Sequence, residues 1–433
     1  MNISKVDKLK AVFDLRRKVC MSLKTKVIGI GAAGNKAAIS VIENGVLNRD
    51  SVLLLNTTRK DIPIEYQSDN FIEFGSARGC GKDRDLAKQF MVEAISLDRD
   101  FQAVLNNFVE GDEKFITIVC STEGGTGSGA SVILGEYLQN MFTDEETGEI
   151  TIPIHMVCLT GFEDDARGQK NTVDWFNDLN QNFIIQAISN KLALSDASVN
   201  GNRKKAEHYA NKVFADRIAI LSGKFIDPSE DNMDDMDLFK LNNMPGYMTV
   251  EKIELPKVTS SEQFNKEVQS MIESSISWST EPSAQRIGVI ISASGKIQEV
   301  VDNSFSLIKE SYGFPTELFT HSQDSKNGDD VLSIISSGMK IPIDGVKQVY
   351  NRLKKQVEKI DSANDSFFNG TNKFDTSFGT KKTFKSTGFA KDGVRQMKNN
   401  NMNSFFSKYG IKKQEPKVAK TQVKIGPAAN DEL

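Results

Sequence analysis

Three glycine-rich stretches punctuate the first part of the chain: GIGAAGN from Gly29 to Asn35, GSARGCGK from Gly75 to Lys82, and EGGTGSG from Glu123 to Gly129. Glycine tolerates positive φ and lets backbone amides come close to a ligand. A helix starting at such a loop adds aligned N–H groups and a partial positive charge. The chemistry on offer is the cradling of an anion. Singly each stretch is weak, because glycine-rich turns without a ligand are common. Three of them behind strand-like runs read as a polyphosphate site held mostly by backbone. Two other phosphate devices fit poorly. A dinucleotide fold pairs one such loop with a carboxylate about 20 residues on for the ribose, and that place holds Asn56-Thr57-Thr58. RGCGKD fails as a P-loop, since Asp83 stands where Ser or Thr should follow Lys82 to hold magnesium.

Other residues offer less. The acidic stretch DPSEDNMDDMD, read alone, is of the kind that is usually solvated surface. Cys20, Cys80, Cys120 and Cys158 are scattered, and only three histidines exist: His155, His208 and His321. Neither a zinc site nor a disulfide framework is expected.

The elements that must position these residues alternate. KVIGIG (26–31), SVLLLNT (51–57), FITIVCST (115–122), IPIHMVCLT (152–160) and FIIQAIS (183–189) read as apolar strands. Helices are expected from about Asn35 to Asn44, over 84–107, from near Gly129, and through TVDWFNDL (172–179). Near-continuous apolar strands separated by helices predict an α/β fold with a doubly wound parallel sheet and ligand loops at the C-terminal strand ends. A long central helix with the acidic loop (204–246) leads to a second, smaller α/β domain (247–343), built on MTVEKIEL, RIGVIISAS and VLSIISSG with helices near 261–276 and 295–311. A helix over 344–362 follows. Residues 1–23 read as an amphipathic helix, and 24–203 as the phosphate-binding domain. From 361 onward Lys and Arg number 13 against 7 Asp and Glu, with little apolar mass, so 363–433 reads as a flexible basic tail.

The 433 residues carry a formal net charge of -4, which gives no global attraction to nucleic acid or acidic membranes. No run approaches the roughly 18 apolar residues of a membrane helix. A cytoplasmic protein without membrane partners is the expectation.

In order and spacing these motifs resemble the tubulin/FtsZ superfamily across roughly residues 25–345. EGGTGSG is similar to its GGGTGSG signature, GIGAAGN to its first nucleotide loop, LNTT to its second, and RGCGKDR to the third loop of the TubZ type of plasmid and phage tubulin-like GTPases. The resemblance implies GTP/GDP with Mg2+ as ligands. It places Gly29, Gly31, Ala32, Ala33, Gly34, Asn35 and Asn56 around the α and β phosphates and the base side. Gly124, Gly125, Thr126, Gly127, Ser128 and Gly129 would cradle the diphosphate, and Ala77, Arg78, Gly79, Cys80 and Gly81 would sense the γ-phosphate. FEDDAR, a loose match, offers Glu163 and Arg167 to the ribose; Asn190 and Asn211 would read guanine. Asn232, Asp234 and Asp237 match the superfamily's NxDxxD pattern, which enters the neighbouring subunit's pocket as its catalytic acids. Implied partners are further copies of the chain in a head-to-tail filament. A DNA-bound adaptor gripping the tail, with Phe405 and Phe406 in its aromatic-basic segment, would link plasmid or phage DNA indirectly. The alternatives are an FtsZ-like division filament, whose DxPxFLR tail peptide is missing, a scaffold that binds GTP without hydrolysing it, and, remotely, a dinucleotide-dependent oxidoreductase. Glu123 departs from the pattern, since most members carry Gly or Ala there; it is expected to point away or to help hold magnesium.

Overall fold

The computed structural model describes residues 22–68, 70–226, 233–255, 260–293, 300, 305–325, 330–367 and 408. The expected N-terminal helix, Asn232, and nearly all of the basic tail lie outside these residues.

The first half alternates strand and helix: β1 (Thr25–Ile30), α1 (Gly31–Glu43), β2 (Val52–Asn56), β3 (Phe71–Glu73), α2 (Arg84–Leu97), α3 (Arg99–Phe108), β4 (Phe115–Ser121), α4 (Gly125–Met141), β5 (Ile154–Thr160), α5 (Ala166–Asp178), β6 (Ile184–Ser189) and α6 (Asn190–Ala193). The second half comprises α7 (Arg203–Leu221), α8 (Asp235–Asn242), β7 (Gly246–Leu255), α9 (Ser261–Ser274), β8 (Arg286–Ser292), α10 (Phe305–Tyr312), β9 (Glu317–Gln323), β10 (Asp330–Met339) and α11 (Ile343–Phe367). Strands β1, β2, β5 and β6 are buried along their whole length, as continuous Val/Ile/Leu runs covered by helices on both faces must be.

The two α/β units share one ten-stranded sheet in the order β3-β2-β1-β4-β5-β6-β7-β10-β8-β9. All pairs from β3 through β7 are parallel, β7-β10 and β10-β8 are antiparallel, and β8-β9 is parallel again. The expected boundary between the units is a seam in this sheet: β6 and β7 pair only at Ile184↔Gly246 and Ile185↔Tyr247. Beyond that the free edge of β6 is taken up by the 276–277 segment, through an Ile188↔Ser277 bridge and a 2.8 Å bond from Ser189 N to Ile276 O.

Several boundaries differ from the sequence expectation, each for a local reason. The 84–107 helix is two helices, broken where Asp98 turns extended and its carboxylate caps the second. Helices α1 and α4 begin four residues before Asn35 and Gly129, inside the glycine stretches themselves. Strands β3 and β9 went unread because they are half-exposed edges with little apolar pattern. Helix α8 was hidden behind the acidic stretch, and α11 continues five residues past 362.

Helix α7, 19 residues and about 28 Å long, runs the height of the sheet. Ala206, Ala210, Ala215 and Ala219 keep its inner face slim, and it packs against α1. Near its lower end Arg217 is buried at the seam, donating 2.6 Å to Ser277 Oγ and lying 3.6 Å from Glu251. Ser277 and Ser275 donate in turn to Glu251 at 2.5 and 2.8 Å. Breaking a buried pair strands the remaining charge. Arg217→Met should therefore destabilise by about 3 to 5 kcal/mol, read by denaturant unfolding, with the double Arg217→Met/Glu251→Leu variant recovering part of the loss.

Candidate functional site

The described α-helices differ in how their first turns are met. Seven are capped by the side chains of Asp83, Asp98, Asp165, Ser189, Asn202, Asp234 and Ser260. Helices α1, after Ile30, and α4, after Gly124, have neither a side-chain cap nor an acid in the first turn, whereas α11, after Pro342, carries Asp344 in its first turn. The starts of α1 and α4 lie side by side. A Cβ on Gly31 would stand 3.0 Å from Gly127 N, and a Cβ on Gly127 would stand 3.1 Å from Ile30 O. The first-turn amides of both helices, free of side-chain caps, thus form one positive concavity at the C-terminal edge of β1 and β4. Ala32, Ala33, Gly124 and Thr126 are part-exposed around it.

The glycines divide into two kinds. Gly34 and Gly129 are spacers: added Cβ atoms would lie 2.3 Å from Val119 O and 2.3 Å from Arg84 O. Gly125 and Gly29 are similarly pressed, by Lys82-Asp83 backbone and by Ala38 and Asn35. Gly124 has nothing within 4 Å and so faces open space. The third stretch, 75–82, is a backbone nest. Gly75, Ala77, Gly79, Gly81 and Lys82 all adopt positive φ, at +58° for Ala77 and +62° for Lys82, which are costly for residues with a Cβ. Ala77 and Arg78 are exposed, whereas Cys80 is buried with its Sγ 3.8 Å from Thr57 Oγ1.

Thr57 and Asn171, to which the sequence reading gave no site role, hold the nest against the concavity together with Lys82 and Arg167. Thr57 accepts from Gly79 N at 3.1 Å through its carbonyl, and its hydroxyl meets that of Thr126 at 2.8 Å. Asn171, buried on α5, donates to Lys82 O at 3.1 Å and Glu123 O at 3.3 Å. Lys82 reaches Asp165 at 2.5 Å, while Arg167 donates 3.2 Å to Lys82 O. The signal for Asn171 was absent locally, because its three carbonyl partners come from two distant loops.

Glu123 turns out of the concavity. Its Oε1 accepts from Glu163 N at 2.7 Å, and a methyl on Gly161 would lie only 1.9 Å from Oε2. Gly161 and Gly168 thus form the slot that admits it. Burial, with Asp165 and Asp164 nearby and Lys82 opposing, lifts its pKa to about 7.

Other expected residues have mixed placements. Asn35 is fully buried and donates 3.1 Å to Leu55 O, tying α1 to β2, and its Oδ1 has no partner among the described residues. Asn56 accepts from Thr57 N at 2.9 Å and shapes the turn after β2. Asn190 opens α6 at the same sheet edge as the concavity, and its buried Oδ1 is likewise unpartnered. Asn211 is half-buried on α7, its carbonyl accepting 2.8 Å from Ser40. The Glu163 side chain is engaged by Lys191 at 3.0 Å and by Arg352.

Asp234 and Asp237 lie elsewhere. They form a capping box on α8, with Asp237 N donating to Asp234 Oδ1 at 2.9 Å. Helix α8 sits below the opposite sheet edge: Asn242 O meets His155, second residue of β5, at 2.8 Å, and Met233 N donates 3.3 Å to Thr320 O. Burial holds His155 neutral, its pKa lowered to about 4, so it donates to that carbonyl. Seven residues of β5 separate the edges, on the order of 20 Å. Within one copy the acids do not meet the concavity.

Neither a protein-family model nor a curated protein sequence matches the chain. Solved structures do. A GTPγS-form protofilament of Bacillus thuringiensis serovar israelensis TubZ superposes with a TM-score of 0.63 at 15% identity, covering 83% of this chain and 99% of that one. A GTPγS-bound protofilament of CetZ2 from Haloferax volcanii gives 0.62 at 16%, covering 79% and 100%. TubZ of Clostridium botulinum phage c-st gives 0.60 at 14%, covering 78% and 100%. The chain has the tubulin/FtsZ fold.

Gly129→Ala should cost about 1 to 3 kcal/mol from overpacking against Arg84, while Gly124→Ala should leave thermal stability unchanged. For Glu123 the sign follows from its raised pKa. The fold keeps a proton that the unfolded chain releases above its ordinary value of 4.5, so the wild type loses stability as pH rises to about 7. Glu123→Gln, which does not titrate, should gain on the wild type by about 1 to 2 kcal/mol between pH 5 and pH 8. Unfolding at both pH values checks this.

Proposed function

We propose that the chain is a GTP-binding, self-assembling protein of the tubulin/FtsZ superfamily, nearest in kind to the TubZ type, that hydrolyses GTP where successive copies meet. The observation carrying this reading is the separation of the two halves of the site. An uncapped anion concavity occupies one sheet edge and the NxDxxD acids occupy the other.

A second copy stacked along the strand direction would bring its acidic edge over the first copy's concavity. In that contact the amides of α1, α4 and the 75–82 nest receive the phosphates, and Asn190 and Asn211 serve guanine. Arg167 and Glu163 flank the ribose only if their present partners release them. Asp234 and Asp237, with Asn232, orient and polarise a water for in-line attack on the γ-phosphate, while the helix-start amides stabilise charge developing on the leaving diphosphate. Among the described residues no three His, Cys, Asp or Glu side chains cluster as a metal cage. Mg2+ would be held chiefly by phosphate oxygens and water, supplying charge neutralisation.

A contact between unlike faces does not close on itself, so it propagates into a filament. The filament reading fits a role in moving or positioning plasmid or phage DNA, with the basic tail as the hook for a DNA-bound adaptor. Beyond the end of α11 one residue is described: Lys408, whose ammonium meets both oxygens of the nearly buried Glu136 on α4 at 2.8 and 2.7 Å. No helix among the described residues is long and apolar enough to cross a membrane.

Light scattering and phosphate release with GTP test the reading together. Asp234→Asn and Asp237→Asn remove charge, and asparagine can still cap at 234. Both should assemble yet lose about 10²-fold or more in phosphate release above the assembly concentration. Wild-type turnover in both variants would mean that other groups position the water.

A further inference from the structure

The 161–168 loop contains three consecutive acids, and each reaches a different element. Asp165 pairs with Lys82 of the nest at 2.5 Å. Asp164 takes Arg203, at the start of α7, through two bonds of 2.6 and 2.9 Å. Glu163 turns its side chain to Lys191 and to Arg352 of α11. Its own amide points the other way, donating to Glu123 at 2.7 Å. To face both ways Glu163 holds φ at +62°, a conformation uncommon outside glycine. Helix α11 grips the same loop a second time, Gln356 donating 3.3 Å to Asp164 O, and it packs along α5.

Glu123 immediately precedes Gly124, the N-cap residue of α4. A continuous path of side-chain contacts therefore runs from the concavity to the last helix: Glu123, the Glu163 amide, the Glu163 carboxylate, Arg352. The slot cut by Gly161 and Gly168 fits the Glu123 carboxylate and leaves little room for slack.

We propose that Glu123 and Arg352 are positioning residues of the phosphate site, so that helix α11, from which the tail departs, sets the placement of the Gly124–Gly129 amides through Glu163. The inference rests on the nucleotide reading above. Linkage makes the coupling reciprocal: a nucleotide that fixes the amides also steadies α11, and whatever pulls on α11 shifts nucleotide affinity by the same factor.

A double-mutant cycle measures it, using full-length protein below its assembly concentration and N-methylanthraniloyl-GDP as probe. Glu123→Ala and Arg352→Ala should each weaken binding about 3- to 10-fold. The double variant should bind no more weakly than the weaker single one. Glu123→Gln, which keeps an acceptor for the Glu163 amide, and Arg352→Lys, which keeps the charge, should restore most of the affinity. GDP should slow proteolysis within α11 in the wild type and have no such effect in Glu123→Ala. Losses that multiply in the double variant, or an Arg352→Ala protein with wild-type affinity, would overturn the inference while the nucleotide reading stood. A wild type that binds no guanine nucleotide would sink both. Should Glu123→Ala not fold, Glu123→Asp, one methylene shorter, takes its place in the cycle.

Discussion

Everything at the upper edge of the sheet depends on two helices that start without caps, pressed together at their first turns. The contact requires Gly31 at φ +77° and a bare Cα at Gly127, because a methyl at either position would strike backbone of the other stretch. An α-helix start leaves up to four amides unmet, and this chain meets that need with a side chain at seven other helices. Leaving two neighbouring starts open concentrates unmet donors in one place. A solvated anion is the partner that such a place selects.

The surrounding polar residues keep that arrangement from collapsing. Asn171 binds loop carbonyls, and Thr57 binds the Thr126 hydroxyl and the Gly79 amide, so neither of them caps the first-turn amides of α1 and α4. Glu123, the residue before Gly124, has its carboxylate drawn aside into a slot. Were its charge to swing back, it would compete with the anion for the same donors. Its raised pKa reflects the enclosure that keeps it away.

Much of this was legible in the sequence. The buried strands announce themselves as unbroken apolar runs, and the three glycine stretches mark the ligand edge. Helix onsets were misplaced because glycine is a poor helix former, and here its lack of a side chain is what lets α1 and α4 approach. Strands β3 and β9 carry no apolar alternation. Glu123 could not be understood locally, since the glycines that admit it stand at 161 and 168. Asp234 and Asp237 were read from pattern as catalytic acids, and the structure adds a local task, the capping box of α8. A catalytic role would have to draw on the same two carboxylates.

The seam between β6 and β7 carries a consequence of its own. β1 and β4 are stitched by six residue pairs, β6 and β7 by two. Such a sheet is stiff along its strands and compliant across one line. In a stack of such copies, load along the strand axis would run into the 19-residue α7, whereas bending or twisting would gather at the seam. A polymer of these units would be hard to compress and easy to curve, with the direction of curvature written into each subunit by the position of that weak line.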